Sequence, residues 1–382
     1  MYYITKKASP HYHQMSVDEL LFCEECKSSL VRSNRTNTVT KSFDNISEYY
    51  KALISVNGMI NALRAFNEWA EPLRSVDRRS LYDSFKIPKK TGGLRQIDAP
   101  NDELKNALRV LQTTLESFAP VDVMLYHTSA FAYVKDRCTK DAVIRHQQNE
   151  SRWFAKFDLH DFFGSTTLGF VIKMFSMVYP FSEFLKDTDG RKEFEKAIEL
   201  AFLDGGLPQG TPISPFITNV MMIPVDHCLA NTLRDYDRFN FIYTRYADDF
   251  CVSCRYHFRY KKVEDLILKT LKDFEAPFSL NTKKTKYGSS SGSNWILGMV
   301  LNKDNDITIG YKNKRRFESM LFNYAMDKKN GTPWSLEDVQ YMDGLRSYYV
   351  SVEGEKMENI IEFQSKKTGV DIVAEIKKDL HP

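Results

Sequence analysis

The stretch FIYTRYADDFCVSC, Phe241 to Cys254, sets two adjacent carboxylates between two aromatic, β-branched runs. Residues 241–245 and 250–254 read as strands. With a period of two, Phe250, Val252 and Cys254 share one face, and Cys251 and Ser253 the other. The Tyr-Ala-Asp-Asp between them holds Asp248 and Asp249 at the tip of a hairpin. Asp suits turns because its carboxylate bonds nearby backbone N–H groups. A solvated turn carrying two acids is therefore the plain alternative.

Other acids argue against it. WFAKFDL, 153–159, reads as an apolar strand that ends on Asp158, with Asp161 three residues on and Phe162 and Phe163 after it. Three carboxylates brought together repel and raise one another's pKa. Divalent cations remove that cost. Hard oxygen ligands suit Mg2+, which completes its shell with waters and phosphate oxygens. Two such ions about 3.5–4 Å apart can activate an attacking 3′-hydroxyl and stabilise a leaving pyrophosphate.

With these acids so placed, the sequence resembles the reverse transcriptases. YADD at 246–249 matches their signature box, FDLHDFF at 157–163 the box with the other metal aspartate, and LPQGTPISP at 207–215 the box between them. IPKKTGGLRQIDAP, 87–100, resembles the fingers box, and WILGMV, 295–300, the primer-grip region. Order and spacing agree over roughly residues 80 to 300. Within the family, IYTRYADDF and LPQGTPISP are phrased as in bacterial retron-type enzymes; defence-associated bacterial reverse transcriptases outside the retrons fit equally. DAVIRH, 141–146, loosely resembles the retron Asn-Ala-x-x-His element, with Asp first and one extra residue.

The resemblance implies roles. Asp158, Asp248 and Asp249 bind two Mg2+ ions, with Mn2+ as an alternative, and Asp158 and Asp248 are the essential pair. Lys89 and Arg95 flank the Gly-Gly turn, where basic residues on a hairpin tip can neutralise a triphosphate; Lys86 is a weaker candidate. Gln209 and Gly210 match the loop at the incoming nucleotide and template, with glycine permitting close backbone approach. Phe163 stands where the family keeps an aromatic that clashes with a ribose 2′-hydroxyl. Tyr246 backs the primer terminus, and Leu297 and Gly298 fall in the primer grip. From Asn281 to Phe317 there are eight Lys/Arg against two Asp/Glu, interleaved with Tyr287 and Tyr311. That pattern, with Lys283 and Lys284, suits a template–primer track.

The chain has 382 residues, 42% apolar and 13% aromatic, enough for a sizeable core. Its 53 basic and 50 acidic residues leave a net charge of +3, so any nucleic-acid surface must be local. No stretch is apolar enough to span a membrane and no secretory leader is read, which with six scattered cysteines predicts reduced thiols in the cytoplasm. Cys23/Cys26 and Cys251/Cys254 are Cys-x-x-Cys pairs more than 220 residues apart. The second pair falls on a strand, where i and i+3 face opposite ways, so small buried residues read better than a zinc site. His11 and His13 sit in a tail and His160 near the acids, without ligand spacing.

Residues 16–31 and 46–73 read as helices, 101–118 as another, 262–275 as a further one, and WILGMVL as a strand. The predicted fold is α+β: a right-hand polymerase with fingers, a palm built on an antiparallel sheet, and a helical thumb. Predicted divisions are an N-terminal helical extension over 1–75, fingers and palm over 76–300, and a thumb over 301–382. The predicted activity is RNA-directed DNA synthesis from deoxynucleoside triphosphates on a structured noncoding RNA template, in anti-phage defence. An effector protein and a homo-oligomer are further partners the resemblance admits. Template-independent or self-primed synthesis, RNA synthesis, and an inactive RNA-binding scaffold are the alternatives.

Overall fold

The computed structural model describes residues 56–88, 92–119, 125–235, 240–290 and 295–381. The predicted helix at 16–31, the start of the one at 46–73, the Cys23/Cys26 pair and Lys89 lie outside these. Two compact units divide the described chain. The first takes 56–138, 155–253 and 258–287; the second takes 139–154, 254–257 and 288–381.

In the first unit, α1 (Val56–Trp69) is followed by α2 (Glu71–Arg74) and by the hairpin β1 (Tyr82–Pro88) and β2 (Leu94–Pro100). The hairpin register pairs Ile87 with Arg95 and Tyr82 with Pro100. Helix α3 (Asp102–Phe118) starts where the Asn101 side chain accepts the Leu104 N–H at 2.9 Å. Its Leu104, Ala107, Leu108, Leu111, Leu115 and Phe118 form one buried stripe at helical spacing. After the short α5 (Phe162–Ser165), helices α6 (Leu168–Phe175), α7 (Phe181–Phe184) and α8 (Thr188–Glu199) add Phe175, Phe181, Phe184 and Phe194, whose rings meet at centroid distances of 4.9 to 6.2 Å. Buried Asn67 ties α1 to α8, donating to the Glu193 carbonyl at 2.9 Å.

The sheet that carries the acids runs β4 (Ile242–Tyr246), β5 (Asp249–Cys254), β3 (Trp153–Asp158), β6 (Lys286–Ser289). β4 and β5 pair antiparallel, Tyr246 opposite Asp249. Both faces of β5 are buried from Phe250 onward, as its apolar run requires. Helices α9 (Ser214–Met221), α10 (Ile223–Asp235) and α11 (Tyr260–Asp273) complete the unit, with α10 packing on β4 and on α11.

In the second unit, α4 (Thr139–Gln148) packs on a small sheet of β7 (Trp295–Ile296), β8 (Met299–Leu301) and β9 (Ile307–Thr308). The Gln147 amide donates to the Asn305 carbonyl at 2.8 Å and its carbonyl accepts from the Asn305 amide at 2.9 Å. His146, the end of DAVIRH, is fully buried beside Phe154. Helices α12 (Tyr311–Lys329), α13 (Leu336–Glu353), α14 (Glu355–Thr368) and α15 (Ile372–Leu380) pack around Leu321, Tyr324, Met342, Met357 and Ile376.

One expectation is corrected here. WILGMVL is a tight hairpin rather than a single strand: Ile296 pairs with Met299, and Leu297 and Gly298 turn at φ +51° and +85°. Two successive left-handed residues give a turn whose twist matches the strands it joins. Cys251 and Cys254 are buried free thiols, as the sequence suggests.

Candidate active site

Asp158 ends β3, and its surroundings fix its place. The Leu159 N–H donates to the Asp248 carbonyl at 3.1 Å, the Asn281 N–H to the Asp158 carbonyl at 2.7 Å, and the His160 N–H to the Ser279 carbonyl at 2.8 Å. The strand end is thus stitched to the Asp248 turn on one side and to the 279–281 segment on the other. Asp158, Asp248 and Lys284 line one cavity of about 810 Å3. His160 lines it too, exposed, with Asn281.

The β4–β5 register leaves only Ala247 and Asp248 in the turn, Ala247 at φ +55°. Asp249 already belongs to the strand. Asp248 lines the cavity, while Asp249, the first residue of β5, is not among the residues that line it. Among the described residues, no three His, Cys, Asp or Glu side chains are grouped closely enough to hold a metal ion by themselves. The Lys284 ammonium meanwhile supplies a positive charge, donating to Asp158 Oδ1 at 2.7 Å.

The electrostatics show the same crowding. Burial, then Asp248 and Asp158, push the Asp249 carboxyl from its ordinary 3.8 to about 6. Burial and Asp158 also raise Asp248. The bond to Asp158 raises the Lys284 ammonium, and burial lowers that of Lys156. Asp158 Oδ2 is buried with no hydrogen-bond partner. An orphaned buried anionic oxygen is costly in a folded protein. A cation taking oxygen ligands would satisfy it, so the donor set fits a divalent metal.

These shifts set a pH dependence. With its folded pKa raised, Asp249 holds more proton in the native than in the unfolded state between about pH 4 and 6, so its contribution to stability falls as pH rises through that window. Metal-free Asp249→Asn should therefore gain melting temperature over the wild type progressively from pH 4 to 7. A difference flat across that range would contradict the shift.

The opposite wall comes from β2 and the 203–215 loop. Arg95, Gln96, Ile97 and Asp98 of β2 line the cavity, and so do Gln209 and Gly210. The Asp98 N–H donates to the Gln209 carbonyl at 2.9 Å. Gly210, at φ +129°, lies so near β2 that a Cβ would meet the Asp98 carbonyl oxygen at 2.9 Å and Ile97 Cγ2 at 3.1 Å. Glycine is needed there for the close approach of two backbones. Phe162 and Phe163 divide the work: Phe162 is buried against Phe278, ring centroids 5.0 Å apart, while half-buried Phe163 lines the cavity. The Leu207 N–H holds the Phe163 carbonyl at 3.0 Å.

Other expected residues do not gather here. Tyr246 is half-buried opposite Asp249 on β4, Lys283 is exposed, and Leu297 and Gly298 sit at the β7–β8 turn of the second unit. Sequence reasoning missed Tyr133, Arg79 and Asp98, all lining the cavity. Arg79 reaches Asp98 at 3.1 Å. Tyr133 is 58% exposed at φ +56°, on a loop where no spacing would single it out.

Residues 87–312 match the family model described as reverse transcriptase (RNA-dependent DNA polymerase). The chain is 31% identical over 268 residues to the retron Ec73 reverse transcriptase of Escherichia coli, covering 68% of this chain and 80% of that one. It is 26% identical over 305 residues to the retron Ec83 reverse transcriptase of the same organism, covering 78% and 90%. Among solved structures, apo telomerase from Candida Tropicalis is similar at TM-score 0.43 and 14% identity, over 78% of this chain and 61% of that one. The family match takes in β2, both acid-bearing elements and the glycine loop, so the chain belongs to the reverse transcriptases, as an RNA-directed DNA polymerase of the retron type.

Proposed function

We propose that the cavity between β2 and the acids is the site of two-metal nucleotidyl transfer, with Asp158 and Asp248 as the essential ligands and Asp249 in support. The observation that carries this reading is Asp158 and Asp248 on one cavity wall, one carboxylate oxygen buried and unsatisfied, facing Arg95 and the Gln209–Gly210 loop. Bound there, Mg2+ or Mn2+ would ease deprotonation of the primer 3′-hydroxyl and neutralise the leaving pyrophosphate. Arg95 and Lys89 bind the triphosphate. The 209–210 backbone, anchored to Asp98, positions the base pair being formed. Lys284 keeps Asp158 neutralised in the metal-free enzyme. Tyr246, Lys283, Leu297 and Gly298 contact primer and template. Catalysis is then mainly positioning and charge neutralisation.

The template is a structured noncoding RNA and the product DNA, with residues 76–300 as fingers and palm and 301–382 as thumb. Sequencing the nucleic acid that co-purifies with the protein tests the template, and phage plating with the wild-type and Asp248→Ala genes tests the defence role.

Phe163 tests substrate choice. Its ring lines the cavity five residues past Asp158, where it would meet a ribose 2′-hydroxyl. Phe163→Ala should raise ribonucleotide use relative to deoxynucleotide use at least about tenfold, the discrimination expected of about 1.4 kcal/mol of steric exclusion. Paired kcat/KM values for dNTP and rNTP on an RNA template decide it. An unchanged ratio would mean that Phe163 does not select the sugar.

A further inference from the structure

Beneath the Asp248 turn lies a buried charge cluster to which the reading above gives no part. Arg245 is 1% exposed and Asp226, from α10, is fully buried. Arg245 Nε donates to Asp226 Oδ1 at 2.8 Å and Nη2 donates to Oδ2 at 2.8 Å, a two-pronged pair. Tyr243 Oη donates to the same carboxylate at 2.8 Å. The remaining nitrogen, Nη1, donates to Asn219 Oδ1 and to the carbonyl of Ala247, both at 3.2 Å. Asn219, on α9, is itself held, donating to the Ala132 carbonyl at 2.7 Å. The Arg245 backbone is also fixed: its N–H donates to the Ser129 carbonyl at 2.7 Å, and its carbonyl accepts the Phe131 N–H at 2.9 Å.

The last Nη1 contact matters for chemistry. The Ala247 carbonyl belongs to the peptide plane that ends on the Asp248 nitrogen, and that plane is rigid. Fixing the carbonyl therefore fixes where the Asp248 Cα, and its carboxylate, set out. Ala247 is also in the left-handed region, which an alanine adopts only when its surroundings impose it. A guanidinium can serve Asp226, Asn219 and Ala247 together because its N–H groups form a flat fork; a lysine ammonium is a single point.

The geometry points to Arg245, clamped by Asp226, as the positioning residue that sets the Ala247–Asp248 turn and so the Asp248 carboxylate for polymerisation. This rests on the reading of Asp248 as a metal ligand. Arg245 touches no substrate in this scheme. It acts through one carbonyl, and a single peptide plane joins that carbonyl to the Asp248 Cα.

Arg245→Lys keeps the buried charge pair but loses the fork. It should lower kcat about tenfold to a hundredfold, the cost of a small misplacement of a reacting group. KM for dNTP should stay within about twofold, and Mn2+ binding to the nucleotide-free protein, read by electron paramagnetic resonance, should weaken at least about fivefold. Leu108→Ala, a core truncation in α3, should lower the melting temperature and leave Mn2+ binding unchanged. If Arg245→Lys does not fold, the double variant Arg245→Met with Asp226→Leu removes both charges at once and should show the same loss of turnover. Wild-type turnover and Mn2+ binding in either folded variant overturns the positioning role. So does failure of both to fold, which would make the pair a stability device alone. Asp248→Ala separates the two levels. If it still binds Mn2+ and polymerises, the metal-ligand reading fails; if it is dead while Arg245→Lys behaves as wild type, only the positioning role fails.

Discussion

Asp158→Asn and Asp248→Asn, made singly, should each lower DNA synthesis on an RNA template by at least about a thousandfold, while the proteins still fold. The charge is what each change removes; size and shape are nearly kept. A divalent ion contributes several kcal/mol of transition-state stabilisation, and about 4 kcal/mol corresponds to three decades in rate. The metal-free proteins should respond differently from each other. Asp248 is ionised at a cost, since burial and Asp158 both raise its pKa, so Asp248→Asn should leave the metal-free melting temperature equal or higher. Asp158→Asn loses the charge attraction of Lys284 as well as the repulsion, and should gain less. Asp249→Asn should cost activity less than either, because Asp249 opens the strand and is not among the residues that line the cavity. Single-turnover primer extension and thermal unfolding with and without Mg2+ measure all three. Undiminished synthesis after Asp248 and Asp249 are both changed to alanine would falsify the assignment.

What the sequence disclosed follows from where its patterns are local. The β4–β5 hairpin was readable because period-two apolar runs flank two turn-forming acids, and register then follows from the turn. Helix α3 was readable as a segment, and its N-cap at Asn101, which the sequence reading places inside the helix, emerges only in the structure. Gly210 was readable as a close approach, although the backbone it approaches is β2 of this same chain. The β7–β8 hairpin was not readable: WILGMVL is continuous in apolar character, and Leu297 in the left-handed region carries no local signal. Which of Asp248 and Asp249 lines the cavity depends on where the strand resumes, a matter of one residue. Tyr133 reaches the cavity from a loop whose course is set by distant packing. The assembly of Asp226, Arg245, Tyr243 and Asn219 is tertiary throughout: a helix acid and a strand arginine 19 residues apart have no spacing rule that joins them.

That buried pair supports the second large expectation. Asp226→Ala should destabilise the protein by about 3–5 kcal/mol, the cost of leaving one partner of a buried ion pair uncompensated. For a unit of this size the melting temperature would fall by about 10 °C or more. The magnitude follows from completeness. Asp226 takes three donors, two nitrogens of Arg245 and the Tyr243 hydroxyl, so alanine strands all of them away from water at once. Exposed ion pairs of this chain offer the contrast: Lys366–Glu362, with both side chains more than half exposed, should change stability by less than about 1 kcal/mol when broken. Replacing Asp226 by Leu together with Arg245 by Met should recover much of the lost stability, because no unpaired charge remains. Turnover should stay low, because nothing then holds the Ala247 carbonyl. Recovery of turnover along with stability in that double variant would mean that the cluster serves the fold and leaves the Asp248 turn to set itself. Denaturant melts of the three variants, read beside their primer-extension rates, separate the two roles.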